Sequence, residues 1–158
     1  MTDLTVRPMQ AEDLPALLDL FNHTVRLGGT TAHEDEMDEA EFRAHYFEDP
    51  DIAYTVLQGD RPVGFQALFQ REPGLYSIGS FTDQRDPVRG AGAALFAATR
   101  DAAKEAGGHT ILAQIRADNV PGLAYYSKMG FADTDLLPAM PLKDGTPMDR
   151  VVKTLPLT

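Results

Sequence analysis

The sequence predicts a mixed α/β fold in which the first half of the sheet is antiparallel and the second half contains crossover helices. The first observation is a group of three β-rich segments at residues 52–57, 63–69 and 75–82. Only short turns separate these segments, and short turns force antiparallel pairing. The second observation is that helical and strand patterns alternate later in the chain, which is typical of crossover connections.

A short strand and two helices precede the antiparallel segments. Residues 5–7 have strand character, and Asp13 is expected to cap a helix that ends at Gly28-Gly29. A second, shorter helix is expected from about Asp38 to just before Pro50. The apolar residues of the first helix recur at spacings of three and four: Leu14, Leu17, Leu18, Phe21 and Val25. The second helix is expected to turn three residues inward: Phe42, His45 and Tyr46.

The second half of the chain alternates helices with strands. An alanine-rich helix is expected at residues 91–106, a buried strand at 110–115 and a short helix at 123–129. Two last strands follow at 131–137 and 150–155, separated by a loop that contains Pro and Gly. The order is therefore β-α-α-β-β-β-α-β-α-β-β. Because 158 residues suit one compact core, we expect a single domain over the whole chain, 1–158.

Composition narrows the function classes. The formal net charge is −10, so the surface repels phosphate backbones and nucleic acid is not expected as a partner. The chain has no cysteine, which excludes disulfides, thiolate metal sites and a cysteine nucleophile. The four histidines show no metal-ligand spacing, so no metal is predicted.

The chain is expected to be cytoplasmic and to have no membrane partner. Its first residues lack a basic segment followed by an apolar run, so no signal peptide is visible. No apolar stretch approaches the length that spans a bilayer.

The most informative segment leads from the last antiparallel strand into the alanine-rich helix, through Arg89-Gly90-Ala91-Gly92-Ala93-Ala94. The first turn of a helix has unpaired backbone N–H groups and the positive end of the helix dipole. Small residues leave those groups sterically bare, so an anion such as a pyrophosphate can approach them, and Arg89 adds a positive charge. A helix start that serves only tight packing on the sheet is the alternative interpretation.

Two other phosphate-binding motifs fit this segment poorly. A P-loop needs a Gly-Lys-Ser/Thr ending, and no lysine follows these glycines. A dinucleotide-binding fingerprint needs a third small residue where Leu95 stands, and an acidic residue about 20 positions further on. Residues 109–114, where that acid belongs, contain no carboxylate.

Two motifs in this order resemble the GNAT acetyltransferase family. Residues 89–94 match the family's Arg/Gln-x-x-Gly-x-Gly/Ala motif, which lies between the fourth strand and the following helix. Residues 119–131 contain an Asn, a short helix with tyrosines and Gly130-Phe131, as the second family motif does. The element order is also similar, so the resemblance covers nearly the whole chain. The segments Phe21-Asn22-His23 and Gly29-Thr30-Thr31 loosely resemble the phosphinothricin-acetyltransferase-like branch.

The resemblance implies that acetyl-CoA is the co-substrate and lies in a gap between the fourth and fifth strands. The pyrophosphate would bind at the helix start, the pantetheine arm would pair with the strand near Phe81-Thr82, and Asn119 would hydrogen-bond that arm. An ordinary helix N-cap is the alternative for Asn119. The residues implied in acetyl-CoA binding are Phe81, Thr82, Arg89, Gly90, Ala91, Gly92, Ala93, Ala94, Asn119 and Tyr126.

The resemblance also implies direct attack of an amine on the thioester. Tyr126 occupies the family's general-acid position, where it would give a proton to the departing sulfur. A packing residue of the short helix is the alternative role. Glu34 is proposed as the proton acceptor for the amine, although a solvated acidic surface would also explain it. The other candidates for this role are His33, Asp35, Glu36 and Asp83.

The predicted function is acetyl-CoA-dependent N-acetylation of a small-molecule primary amine, such as an amino acid, an analogue or a polyamine. Acetylation of a protein or peptide amine is one alternative. A non-catalytic acyl-CoA-binding sensor on the same fold is another. A homodimer is expected only from the family resemblance.

Overall fold

The computed structural model describes residues 3–29 and 31–157, and within these ranges seven strands form one mixed sheet. The order of the strands across the sheet is β1-β2-β3-β4-β5-β7-β6. The strands are β1 (Leu4–Pro8), β2 (Ile52–Gln58), β3 (Arg61–Glu72), β4 (Leu75–Thr82), β5 (Thr110–Arg116), β6 (Ala132–Pro141) and β7 (Pro147–Pro156). The predicted α/β class and element order are confirmed. The last two strands extend further toward each other than predicted, so the loop between them is short.

Four helices cover the two faces of this sheet in the described part of the chain. They are α1 (Leu14–Leu27), α2 (Glu39–Phe42, continued by a π-helical turn at Arg43–Glu48), α3 (Ala91–Glu105) and α4 (Val120–Lys128). Asp38 and Glu41 form a capping box that starts α2. Helix α4 begins three residues earlier than predicted because Asn119 accepts a hydrogen bond from Gly122 N and Pro121 fits the first helical turn.

The prediction that the Asp13 side chain caps α1 is wrong. The Asp13 side chain makes no capping bond to α1. It is buried and instead accepts hydrogen bonds from Arg7, from Gln10 N and from the Thr55 hydroxyl. A buried carboxylate needs such partners, and the cation supplied by β1 competes for it more strongly than a helix amide does.

The two faces of the sheet carry separate cores. On one face, α1 and α2 pack over Phe65, Ala67 and Phe81. On the other face, α3 and α4 pack over Leu68, Tyr76 and residues of β5 in a second apolar cluster. Because neighbouring residues of a strand point to opposite faces, β3 and β4 contribute side chains to both cores.

The centre of the sheet is split between β4 and β5. These strands are parallel, and they pair only over Leu75–Thr110, Tyr76–Ile111 and Ser77–Leu112. Beyond these pairs the strands diverge, so residues 78–82 of β4 pair only with β3. The edge of β4 that faces the gap thus keeps backbone groups available for another partner.

No helix within residues 3–29 and 31–157 has both the length and the apolar character that crossing a bilayer requires.

Candidate active site

A cavity of about 420 Å³ lies where β4 and β5 diverge. Strand β4 supplies residues 78–82 to its wall, β5 supplies 114–116, and α4 and its cap supply Asn119, Tyr125 and Tyr126. The start of α3 contributes Gly92. The opposite side consists of residues 31–33 and Tyr46, so the cavity connects the two faces of the sheet.

The first turn of α3 presents free amides at one end of this cavity. Gly90 caps the helix in the left-handed conformation, with φ of 87°, which glycine adopts without strain. Ala91 N bonds to Val88 O and Ala94 N bonds to Gly90 O. Among the described residues, no group accepts a hydrogen bond from the amides of Gly92 and Ala93. Unpaired N–H groups at the positive end of a helix dipole attract anions. Of these two residues, Gly92 lines the cavity.

The side chains around this turn have different surroundings. Arg89 is exposed and forms no ion pair with another described residue, so its charge is available beside the amides. Ala91 is 2% exposed and packs with Val56, Val63 and Leu95 in a small core. Any contact of Ala91 with a ligand would therefore have to use its backbone, whose N–H is already bonded.

Gly92 is closely covered, not sterically bare as the sequence suggested. The Tyr125 hydroxyl donates to Gly92 O at 2.7 Å, and a Cβ added at Gly92 would come 2.7 Å from Cε1 of the same ring. The glycine is therefore needed so that α4 can approach the start of α3. Tyr125 thus fixes the distance between the two helices that border the cavity.

Tyr126 is 7% exposed and lies in the cavity wall beside Tyr125 and Phe131. Burial raises the pKa of its phenol well above the usual range, and the neighbouring Tyr125 raises it further. The phenol therefore stays protonated at neutral pH and can act as a hydrogen-bond or proton donor.

Of the other residues predicted to contact acetyl-CoA, Phe81, Thr82 and Asn119 line the cavity. Five of the predicted residues do not line it: Arg89, Gly90, Ala91, Ala93 and Ala94. Phe81 lines the cavity, and its ring packs on Phe21 and Phe65. Thr82 lines it too, and both its carbonyl and its hydroxyl accept hydrogen bonds from Gln84. Asn119 caps α4 and lies in the wall, so its position fits both interpretations offered from the sequence.

His33 and Tyr46 form the wall on the α1–α2 side. Nε2 of His33 lies 2.6 Å from the Tyr46 hydroxyl oxygen. Burial lowers the pKa of His33 from its ordinary value of 6.5 to about 4, with smaller contributions from His45 and Arg150. Burial also raises the pKa of Tyr46. At neutral pH the imidazole is therefore neutral, so one of its nitrogens is a hydrogen-bond acceptor, and a pKa of about 4 makes it a weak base.

The acidic residues considered as proton acceptors lie elsewhere. Glu34 is exposed and accepts a hydrogen bond from Lys143 N, and Asp35 pairs with the Lys143 ammonium group. Glu36 pairs with Arg26 on the surface. Asp83 is buried and pairs with Arg61 and Arg85. Burial acts to raise the pKa of its carboxyl, but the hydrogen bonds and charge of Arg85 hold that pKa low. None of these four carboxylates lines the cavity.

Arg116 is a cavity residue that the sequence did not single out. It is 9% exposed, pairs with Asp118 and donates to Thr31 O at 3.4 Å. This contact fastens the α1–α2 loop to the end of β5. Thr30, which belongs to the Gly29-Thr30-Thr31 segment of the weaker resemblance, lies outside the described residues.

Across the described ranges, no group of three or more His, Cys, Asp or Glu side chains has an arrangement that could hold a metal ion.

The chain belongs to the GNAT acetyltransferase family, because the family model described as "Acetyltransferase (GNAT) domain" matches residues 3–132. This match covers both of the motifs that carry the resemblance. No curated protein sequence matches the chain.

Solved structures share the fold at low sequence identity. A phosphinothricin acetyltransferase of Sinorhizobium meliloti in complex with acetyl-CoA has 20% identity and a TM-score of 0.86, covering 99% of this chain and 89% of that one. The yncA protein of Salmonella typhimurium with its cofactor acetyl-CoA has 18% identity and a TM-score of 0.84, with 98% and 94% covered. A ribosomal-protein-alanine N-acetyltransferase of Brucella melitensis has 22% identity and a TM-score of 0.86, with 97% and 99% covered. These relatives differ in the acceptors that their names state, so the fold does not select an acceptor.

Proposed function

We propose that this protein transfers the acetyl group of acetyl-CoA to the primary amine of a small molecule. One observation carries this proposal: a single cavity extends from Gly92, whose amide is free in the first turn of α3, to the His33–Tyr46 pair on the other face of the sheet. Such a cavity can hold a phosphate-bearing donor at one end and a proton acceptor for the amine at the other.

The residues present fit acetyl-CoA. The free amides of Gly92 and Ala93, with Arg89 beside them, suit its pyrophosphate. The unpaired edge of β4 at residues 78–82 suits its amide-containing arm. When bound, acetyl-CoA supplies an acetyl group on a thioester, whose sulfur leaves as a thiol.

Tyr126 is the proposed general acid. Its phenol lines the cavity, and its raised pKa keeps the proton in place until it is needed. Tyr125 is a poorer candidate because its hydroxyl hydrogen is already donated to Gly92 O.

His33, in contact with Tyr46, is the proposed proton acceptor for the amine. The imidazole is neutral at physiological pH and lies in the cavity wall, whereas Glu34 lies outside it and is bonded to Lys143 N. The role assigned to Glu34 from the sequence stays a prediction. The geometry supports His33 better.

A small acceptor is favoured because several hydrogen bonds hold the loop between α1 and α2 in place. This loop borders the side of the cavity where the amine would bind. Arg116 donates to Thr31 O, Lys143 contacts Glu34 and Asp35, and Asn22 exchanges hydrogen bonds with Met37 N and O. An open peptide groove would require this loop to be free. The single domain, the cytoplasmic location and the homodimer stay predictions from the sequence.

A thiol-release assay tests the proposal. The purified protein with acetyl-CoA should release free thiol with some amino acids, amino-acid analogues or polyamines, and should do so more slowly with peptides. Turnover on peptides alone would overturn the small-molecule assignment. Tight acetyl-CoA binding by calorimetry, without thiol release on any amine, would instead identify a sensor.

A further inference from the structure

We propose that Tyr125 and Gln66 are positioning residues for acetyl-CoA, because they orient and polarise the peptide group between Gly92 and Ala93 at the start of α3. Neither side chain has a role in the proposed proton transfers. The inference rests on the proposed function, since it concerns the helix start at which the pyrophosphate is proposed to bind.

This peptide group has different surroundings at its two ends. Its oxygen, Gly92 O, accepts a hydrogen bond from the Tyr125 hydroxyl at 2.7 Å. Its N–H belongs to Ala93 in the first turn of α3 and has no acceptor among the described residues. A hydrogen bond to the oxygen of an amide makes the N–H of that amide a better donor, because hydrogen bonds in series polarise one another. The Tyr125 hydroxyl therefore strengthens an N–H group that is free to bind an anion.

The carbonyl fixes the direction of these hydrogen bonds. Gly92 O can only accept, so the single hydrogen of the Tyr125 hydroxyl is directed at it. The Tyr125 oxygen is then an acceptor, and Gln66 Nε2, 2.7 Å away, donates to it. Burial raises the pKa of Tyr125 to about 12, so the phenol keeps its hydrogen at neutral pH. The bonds therefore run in one direction, from Gln66 through Tyr125 to the peptide group.

Gln66 places an amide on β3 where packing alone does not require one. Its side chain is fully buried, and its Oε1 has no hydrogen-bond partner among the described residues. An unpaired amide oxygen costs free energy that an apolar side chain of the same size would avoid. The amide nitrogen donates to the Tyr125 oxygen and to Ser80 Oγ, the latter at 3.0 Å. An apolar residue could make neither donation, and one of the two reaches the start of α3 through Tyr125.

The hydroxyl of Tyr125 can be separated experimentally from the packing of its ring. The ring lies so close to α3 that a Cβ added at Gly92 would come 2.7 Å from Cε1. Tyr125→Phe keeps this ring and removes only the group that bonds to Gly92 O and to Gln66. An effect of Tyr125→Phe therefore reports the hydrogen bonds and not the contact between the two helices.

The test measures binding and turnover separately. We expect Tyr125→Phe to raise the Kd for acetyl-CoA about 5-fold, since one net hydrogen bond contributes on that order. At saturating acetyl-CoA and amine, kcat should stay within about 2-fold of wild type, because the hydroxyl acts on binding. Tyr76→Phe is the matched control and should change neither quantity, since Tyr76 is buried outside the cavity wall. Melting temperatures of all variants control for unfolding.

Gln66→Met tests the connection through Tyr125. Gln66 does not line the cavity, and its replacement should raise the Kd about 2-fold because the Tyr125 hydroxyl loses its donor. In a Tyr125→Phe background, Gln66→Met should have no further effect on affinity, since the connection to Gly92 is already broken. If Gln66→Met weakens binding equally in both backgrounds, or in neither, the connection is contradicted.

A second measurement needs no acetyl-CoA. In protein labelled with 15N and 13C, the Gly92 carbonyl carbon and the Ala93 amide nitrogen report the state of their shared peptide group. We expect both NMR resonances to move in Tyr125→Phe, and to move less in the same direction in Gln66→Met. Unchanged resonances in Tyr125→Phe would contradict the hydrogen bond to Gly92 O itself.

The outcomes separate this inference from the proposed function. If the wild type binds acetyl-CoA and Tyr125→Phe binds it equally well, the positioning role is overturned while the acetyltransferase proposal stands. If Tyr125→Phe loses kcat at unchanged affinity, Tyr125 acts in the reaction and the positioning role is again overturned. If the wild type does not bind acetyl-CoA, the proposed function fails and the positioning role fails with it, even where the NMR resonances move as expected.

Discussion

The Tyr46 hydroxyl lies 2.6 Å from Nε2 of His33, and the two residues together form the cavity wall on the α1–α2 side of the sheet. The π-helical turn that follows α2 brings Tyr46 there, and the loop before α2 brings His33. The Tyr46 ring also packs against β4 beside Gly79, where an added Cβ would lie at an ordinary contact distance of 3.5 Å.

The first prediction concerns the pH dependence of stability. The pKa of His33 is about 4 in the folded protein and 6.5 when exposed, so the unfolded chain binds a proton between these values and the folded chain does not. The free energy of unfolding should therefore fall as pH drops from 6.5 to 4, by roughly 2 kcal/mol after allowance for solvent screening. Urea unfolding at several pH values measures this change in the free energy of unfolding.

His33→Gln provides the control, because glutamine can bond to Tyr46 but does not titrate. Its stability should change less over the same pH window. His45 and Arg150 are the charged or titratable groups that also lower the pKa of His33. Asp13, Asp83 and Asp118 have pKa values below 3.8, so their contributions are lost only at lower pH. An equal slope in wild type and His33→Gln would show that His33 is not the group responsible.

The second prediction concerns the two functions that Tyr126 could have. Tyr126→Phe should lower kcat about 100-fold and leave acetyl-CoA affinity nearly unchanged, because the proton is needed only as the sulfur leaves. Steady-state kinetics and calorimetry measure the two quantities. Tyr76→Phe is a matched control, since Tyr76 is a buried tyrosine of the same apolar cluster outside the cavity. A large loss of affinity with little change in kcat would make Tyr126 a binding residue.

The order of helices and strands could be predicted because it depends on local patterns. The alternation in β2 and β3, the three-and-four spacing in α1 and the glycines that end helices are all readable along the chain. The cofactor motifs could be located for the same reason. Residues 89–94 and Asn119 lie where α3 and α4 begin, and the local sequence indicates where helices begin.

The pairs that build the site depend instead on contacts between distant elements. Gln66 and Tyr125 are 59 positions apart, and only the packing of α4 on β3 brings them together. His33 was one of several polar residues in an acidic run, and no local pattern distinguished it from Glu34. The structure separates them because one side chain lies in the cavity and the other is exposed.

The third prediction concerns Gly92 and Tyr125. Gly92→Ala should destabilise the protein by about 1–3 kcal/mol, because the new Cβ would lie 2.7 Å from the Tyr125 ring. In a Tyr125→Leu background the aromatic ring is absent, so the new Cβ has no clash. Gly92→Ala should then stabilise α3 by about 0.5 kcal/mol, because alanine has a higher helix propensity than glycine. Denaturant unfolding of the four proteins measures both effects. The same cost in both backgrounds would mean that another contact excludes the side chain.

The fourth prediction concerns the exposed charge at the start of α3. Arg89→Ala should weaken acetyl-CoA binding about 5-fold at low salt, since an exposed ion pair contributes up to about 1 kcal/mol and is screened by added ions. At saturating acetyl-CoA, kcat should change little because the guanidinium is not in the cavity wall.

Salt provides the sharper test of Arg89. Wild-type affinity should fall with increasing ionic strength, and the Arg89→Ala affinity should fall less steeply, so that the two converge at high salt. Arg71→Ala removes another exposed arginine, near the end of β3, and should behave like wild type. If Arg89→Ala and Arg71→Ala give the same affinity and the same salt dependence, the amides of Gly92 and Ala93 hold the phosphate without help from Arg89, and the family's arginine serves a different purpose in this chain.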